Sequence, residues 1–348
     1  MKVLYVSDMQ RLGFLLCSPL PMLEHMPCTL LHARTHQEVE QYIQDVDVVI
    51  LNRCKFTGFL ERDSSIYSIV PLAGERRTVN APVPVARFFS DPWYMPRYKA
   101  RFERSRGFAN FFREYNIRIL PYRELFEQHC PEWIDSMFWS PRCAYIQDCN
   151  VEKDIDVLFW GNTVRQYVIR NTMKALLEKC IVSEEEEVDE SLVMYRISLN
   201  GRTYKLAMLR FRARGRFPCS TLPLYRGEKL YKLLSRAKIC PAGPRLYPRG
   251  APIGKFFENA ACGAVSLTID FTDRKELGFE HGKHLWITEL HRGGKIPHFL
   301  EDLAYLLEHP DLIEEMSKNA KELIRIRHTP VIRGRELYEF LCVKVGTS

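Results

Sequence analysis

A chain of 348 residues is long for one hydrophobic core and comfortable for two. Its composition, 46% hydrophobic and 27% charged, is that of an ordinary globular protein and sets aside disordered and fibrous classes; no stretch approaches the roughly 18 uncharged apolar residues of a membrane span. The net charge is +7, and the eleven cysteines are odd in number with no Cys-x-x-Cys pair, which points to reduced thiols in a cytoplasmic protein rather than a disulfide framework or a zinc site.

In chain order, Met1–Val6 is apolar, is followed by Ser7-Asp8, and predicts the first buried strand of an α/β domain. The opening run is too short for a signal peptide. Glu38–Gln44 predicts a helix, Val46–Leu51 a second strand, and Pro84–Phe89 a third that ends in the turn Ser90-Asp91-Pro92-Trp93. Glu103–Tyr115 reads as helical and Ile117–Leu120 as a strand. Strands alternating with helices argue for a parallel sheet. A domain boundary is expected near 149–154, before a strand over Asp156–Trp160, a turn at Gly161-Asn162 and a helix from Val164 to Lys179.

Leu192–Leu199, Asn200-Gly201 and Arg202–Leu209 form the strongest hairpin signal of the chain, because Asn-Gly readily adopts the positive φ angles of a two-residue hairpin turn. It is read as an antiparallel insertion or edge of the second domain. A helix over Gly227–Ala237 then leads into a short strand, Lys238–Cys240. Helices are expected at Leu300–His309, Asp311–Arg327 and Pro330–Val345.

The most informative segment is Leu246–Asp270. It reads as a Gly/Pro turn, a short helix with one carboxylate, Glu258, a helix end at Cys262-Gly263 and a buried strand. Amide groups exposed at a helix start face anions, and an acid one turn further on can accept hydrogen bonds from ribose hydroxyls. The order fits a nucleoside diphosphate. The bland reading of Glu258 is a solvated helix carboxylate.

Lys255–Gly263, Leu267-Thr268, Glu276-Leu277 and Gly282-Lys283, with Asp156–Asn162 and Arg165 before them and Asp302–Asp311 after, resemble the donor half of a GT-B glycosyltransferase, nearest the CgeB-like, glycosyltransferase-family-1-type group. Phe88–Trp93 fits the same resemblance in the N-terminal half. It implies an α/β fold of two Rossmann-like domains facing each other across a cleft. Residues 1–150 would bind the acceptor, residues 151–328 a nucleotide-sugar such as a UDP-sugar, and residues 329–348 would form a helix returning to the first domain.

Donor contacts are then expected from Gly161, Asn162, Arg165, Arg245, Tyr247, Arg249, Gly250, Ile253, Gly254 and Glu258, and sugar contacts from Asp270, Thr272 and Glu276. Arg245 and Arg249 flank the turn, and arginine suits bidentate phosphate contact. No Asp-x-Asp motif lies in the segment Leu246–Asp270, so the nucleotide-sugar is the one cofactor-like ligand expected, with cations and a helix start in place of a metal. Asp91, at a predicted strand end, is the first candidate for the base that activates an acceptor hydroxyl, and Asp8 the second. Such families often carry a partner acid eight residues before the ribose-binding glutamate; here that position is Gly250, a departure that favours a non-catalytic binding protein as the reading from another class.

The charge distribution adds a feature that sugar transfer alone does not need. From Arg196 to Phe257, fifteen Lys/Arg face one acid, Glu228, and from Arg97 to Arg118 seven face Glu103 and Glu114. Arg210, Arg212, Arg214 and Arg216 recur at every second position, which on a strand makes a cationic ridge of the kind that follows a nucleic-acid backbone. A polyanionic acceptor is therefore expected, and a hydroxymethylated pyrimidine in DNA is the preferred one. A cell-surface, spore-coat or protein glycan is the rival acceptor.

Overall fold

The structure is a computed structural model that describes residues 1–7, 20–33, 36–52, 83–88, 117–120, 123, 124, 127, 137–139, 143–147, 151–161, 163, 167–189, 191–209, 228–244, 250 and 252–346. The helix expected over Glu103–Tyr115 and the candidate residues Asp8, Asp91, Asn162, Arg165, Arg210, Arg212, Arg214, Arg216, Arg245, Tyr247 and Arg249 lie outside the described residues. The chain divides into two units, Met1–Pro141 with Pro330–Ser348, and Arg142–Thr329.

The first unit carries β1 (Lys2–Ser7), α1 (Leu20–Leu23), β2 (Thr29–Ala33), α2 (His36–Tyr42), β3 (Val48–Asn52), β4 (Val85–Phe88), β5 (Ile117–Leu120) and β6 (Met137–Trp139). All six strands pair in parallel, in the order β2-β1-β3-β4-β5-β6. Val3, Leu4, Tyr5 and Val6 are all buried, with no alternation, because a parallel sheet is covered on both faces. The chain's last helix, Pro330–Val345, belongs to this unit, and its Gly334 sits so close to α1 that a Cβ there would meet the Met22 carbonyl oxygen at 2.5 Å.

The second unit runs β7 (Ile155–Phe159), α3 (Val168–Lys179), β8 (Ile181–Asp189), β9 (Leu192–Leu199), β10 (Arg202–Leu209), α4 (Glu228–Ser235), β11 (Ala237–Pro241), α5 (Gly254–Ala261), β12 (Val265–Thr268), β13 (Leu285–Ile287), α6 (Phe299–Glu308) and α7 (Pro310–Arg327). Its sheet has the order β13-β12-β11-β7-β10-β9-β8. From β13 to β10 neighbours are parallel; β9 and β8 extend it antiparallel. Val157 and Phe159 bury into one face with α3, α6 and α7, and Leu158 and Trp160 into the other with α4, so both faces are core. A fully buried side chain of this size contributes about 1.5–3 kcal/mol.

The Asn200-Gly201 hairpin forms with φ of 49° and 76° and pairs Arg202 with Leu199 through Leu209 with Leu192. It is not an edge feature, however. β10 lies beside β7, with Leu206 opposite Val157, and Leu206 to Leu209 are all buried. The edge is β8, whose run Glu184–Glu187 sequence patterning alone does not reveal as a strand. Backbone pairing holds such a strand, and its charges suit an edge that must not pair further. Among the described residues no helix is long and apolar enough to cross a membrane.

Candidate functional site

The chain passes from β7 to β10 on one side and then crosses to β11 on the other. Connections therefore leave the carboxyl ends of β7 and β11 in opposite directions, and in open α/β sheets the crevice at such a switch point takes the ligand. Trp160-Gly161 follows β7, and Ala242-Gly243 follows β11. The amino ends of α3 and α5 come to the same place.

Two buried basic side chains occupy it. Lys255, in the first turn of α5, is 6% exposed; Arg170, in the first turn of α3, is 4% exposed. The Lys255 Nζ donates to the Trp160 carbonyl and lies 4.1 Å from the centre of the Trp160 ring. Arg170 donates through Nη2 to the Gly243 carbonyl at 3.2 Å, with its guanidinium 4.3 Å from the Tyr167 ring centre. Burial first, then the Arg170 charge, push the Lys255 pKa well below the ordinary lysine value, and Glu258 works in the opposite direction.

Glycine makes this approach possible at two points. Gly161 has φ +105°, and a Cβ there would run into the Lys255 side chain. At Gly243 a Cβ would lie 2.7 Å from the Arg170 amide nitrogen and 3.0 Å from its Cα, so only glycine lets the chain after β11 run against the start of α3. Asn259 ties the floor together: it accepts from Trp160 Nε1 at 3.1 Å and donates to Ser266 Oγ of β12 at 2.9 Å.

Both helix starts are made for an anion. The N-cap positions, Tyr167 and Ile253, give no side-chain hydrogen bond to the first turn, and neither first turn contains an acid. First-turn amides lack partners within their own helix, and the positive end of the helix dipole lies there. Placing a cation in each first turn is electrostatically unfavourable unless negative charge joins it.

The structure brings together Gly161, Ile253, Gly254 and Glu258 of the predicted donor residues. Ile253 is extended and accepts from Phe256 N at 3.1 Å, opening the helix at Gly254. Glu258 is 5% exposed, so the solvated-carboxylate reading fails; its charge raises the pKa of Tyr231, which burial already pushes up. Gly263 closes the helix with φ +75° and donates to Ala260 O at 3.0 Å.

Gly250 has φ +62°, and its carbonyl accepts from Thr272 N at 2.9 Å. A Cβ there would lie 2.8 Å from both Asp270 O and Phe271 Cα, so this backbone leaves no room for the partner acid whose absence the sequence suggests. Asp270 is exposed, accepting from Phe271 N and from Arg274 Nε at 2.6 Å. Among the described residues, none gives a hydrogen bond to the buried Oγ1 of Thr272. Glu276 is exposed and its carbonyl accepts from Arg327 of α7 at 2.7 Å.

Sequence reading missed Lys255, Arg170, Asn259 and Gly243. A lysine in the first turn, directly before Phe256 and Phe257, was the available signal for Lys255. Among the described residues no group of three or more His, Cys, Asp or Glu side chains is placed to hold a metal ion.

Two Rossmann-like units, with a basic, glycine-lined crevice at the switch point of the second, define a GT-B glycosyltransferase fold. Residues 192–339 match the family described as glycosyl transferase-like. No curated protein sequence matches it. Solved structures similar to it include a glycosyltransferase of Rickettsia africae (9% identity, 100% of this chain and 99% of that one, TM-score 0.56). The Anabaena protein HepE in complex with UDP-glucose has 11% identity over 99% and 100% of the two chains (TM-score 0.59), and the sucrose-phosphate synthase of Thermosynechococcus elongatus 9% over 100% of each (TM-score 0.58).

Proposed function

We propose that the protein transfers a sugar from a nucleotide-sugar, a UDP-sugar in the first instance, to an acceptor hydroxyl. The observation that carries this is the pair of buried basic side chains, Lys255 and Arg170, set in the first turns of two helices that have no side-chain cap. A departing nucleoside diphosphate needs its charge stabilised by preorganised donors, and this is where they converge. Gly161, Gly243 and Gly250 let backbone approach the phosphates, Glu258 accepts from the ribose, and Thr272 Oγ1 is the hydroxyl placed for the sugar. Asn162, Arg165, Arg245, Tyr247 and Arg249 adjoin the same crevice in sequence and complete the donor set. The first unit presents the acceptor, with Asp91, or else Asp8, as the base. That HepE was crystallised with UDP-glucose on the same fold supports the choice of donor.

Calorimetric titration with UDP-glucose, UDP and pyrophosphate tests the donor site. Glu258→Gln is expected to weaken UDP and UDP-glucose by about tenfold, the worth of one charged hydrogen bond, while leaving pyrophosphate within about twofold. Equal loss for all three ligands would remove Glu258 from the ribose.

For the acceptor, the concentration of cations between Arg196 and Phe257 favours a polyanion, and we take a hydroxymethylated pyrimidine in DNA as the specific form. Duplex binding should then be strong at low salt and fall steeply as salt rises. Mass analysis of hydroxymethylated DNA incubated with the protein and mixed UDP-sugars should show the gain of one glycosyl unit. Turnover on glycans without duplex affinity at low salt would transfer the assignment to a glycan acceptor.

A further inference from the structure

Lys255 is held by groups from four elements. β7 gives the Trp160 carbonyl and ring face, α3 the Arg170 guanidinium, α5 Glu258, and β11 the Cys240 thiol, which burial pushes up to about 12 and so keeps neutral. Tyr231 of α4, facing Glu258, is likewise neutral. Glu258 and the ring face favour a charged lysine. Against them stand complete burial, a guanidinium that does not deprotonate and two helix starts of the same sign. With no ligand, the described residues of the crevice already supply one fixed cation and two positive helix ends against one carboxylate. A neutral amine still donates a hydrogen to the Trp160 carbonyl, so shedding the proton keeps that bond. A diphosphate brings two negative charges and reverses the balance.

We propose that Lys255 is uncharged in the ligand-free protein and takes up one proton from solvent as the donor diphosphate binds, so that donor binding and protonation are a single event. The proposal rests on reading this crevice as the donor site. Its consequence is a donor affinity set by pH: binding weakens as pH rises, by up to about tenfold per unit where a whole proton is taken up.

The test is calorimetry with UDP-glucose, whose diphosphate has no proton titrating near neutrality. It is run at about pH 8, below the free-lysine value, in two buffers of low and high ionisation enthalpy. Wild-type protein should show heats that differ between the buffers by a substantial fraction of one proton per ligand. Lys255→Arg, charged throughout, should bind with no such difference. Equal heats in both buffers for wild type, or an unchanged difference in Lys255→Arg, would overturn the proposal and leave the donor site standing. Absence of UDP-glucose binding by wild type would overturn both. Should the arginine variant not fold, the wild-type affinity between about pH 7 and 9.5 decides: a fall with pH supports the proposal, and a constant value refutes it.

Discussion

Arg170→Leu should weaken UDP-glucose binding on the order of a hundredfold. The guanidinium is buried in the first turn of α3 and held by Gly243 O and the Tyr167 ring, so in the proposed donor site it would meet a phosphate with its orientation already set. Truncating one partner of a buried charged pair costs about 2–5 kcal/mol, which spans a hundredfold at its lower half. Lysine at the same position should recover only part, because it cannot reproduce the planar fork. Arg325→Leu is the control: that cation is exposed on α7, paired with Glu322, and should leave binding unchanged. Titration calorimetry on the three variants, with circular dichroism to confirm folding, gives the comparison. An Arg170→Leu affinity within threefold of wild type would move the phosphates away from α3.

Much of the second unit was legible because its signals are local. The Asn200-Gly201 turn, the apolar runs of β7 and β12 and the Cys262-Gly263 helix end each depend on residues within one turn or strand. Placement is a different matter. That β10 lies beside β7 follows from how two faces of a sheet are covered, and no window of residues contains it. The same holds for β8, whose acidic run gives no strand pattern and whose backbone is paired by β9. In the first unit β2 and β6 are short and only partly buried, so their patterns carry little signal.

The site divides the same way. Glu258 was found because it stands in a recognisable helix, whereas Lys255, three residues earlier, was counted only as one cation among fifteen. Its meaning comes from Trp160, 95 residues away in the chain, and from Arg170. Gly243 gave no sequence cue either; its role is the approach of one backbone to another. Residues whose chemistry depends on a distant partner are those that single-sequence reading loses, and the buried basic side chains are the clearest case here.

Gly250→Glu supplies, on paper, the acid that the sequence resemblance implies eight residues before Glu258. The structure predicts the opposite of a gain. A side chain at φ +62° costs about 1–2 kcal/mol for the backbone alone. The new Cβ would also press on Asp270 O and Phe271 Cα, both main-chain atoms, so relief requires the loop after β12 to move and the Thr272 N to Gly250 O bond to break. Overpacking of this kind adds about 1–3 kcal/mol, and the sum should lower the melting temperature of the second unit by roughly 5–15 °C. UDP-glucose affinity should fall with it, since the same loop frames the crevice. Gly250→Ala separates the two contributions: it carries the Cβ without the charge and should reproduce most of the loss of stability. Thermal unfolding of both variants beside wild type gives the answer. A glutamate variant as stable as wild type and tighter for UDP-glucose would mean that this loop opens at little cost, and that the departure at Gly250 reflects chemistry rather than packing.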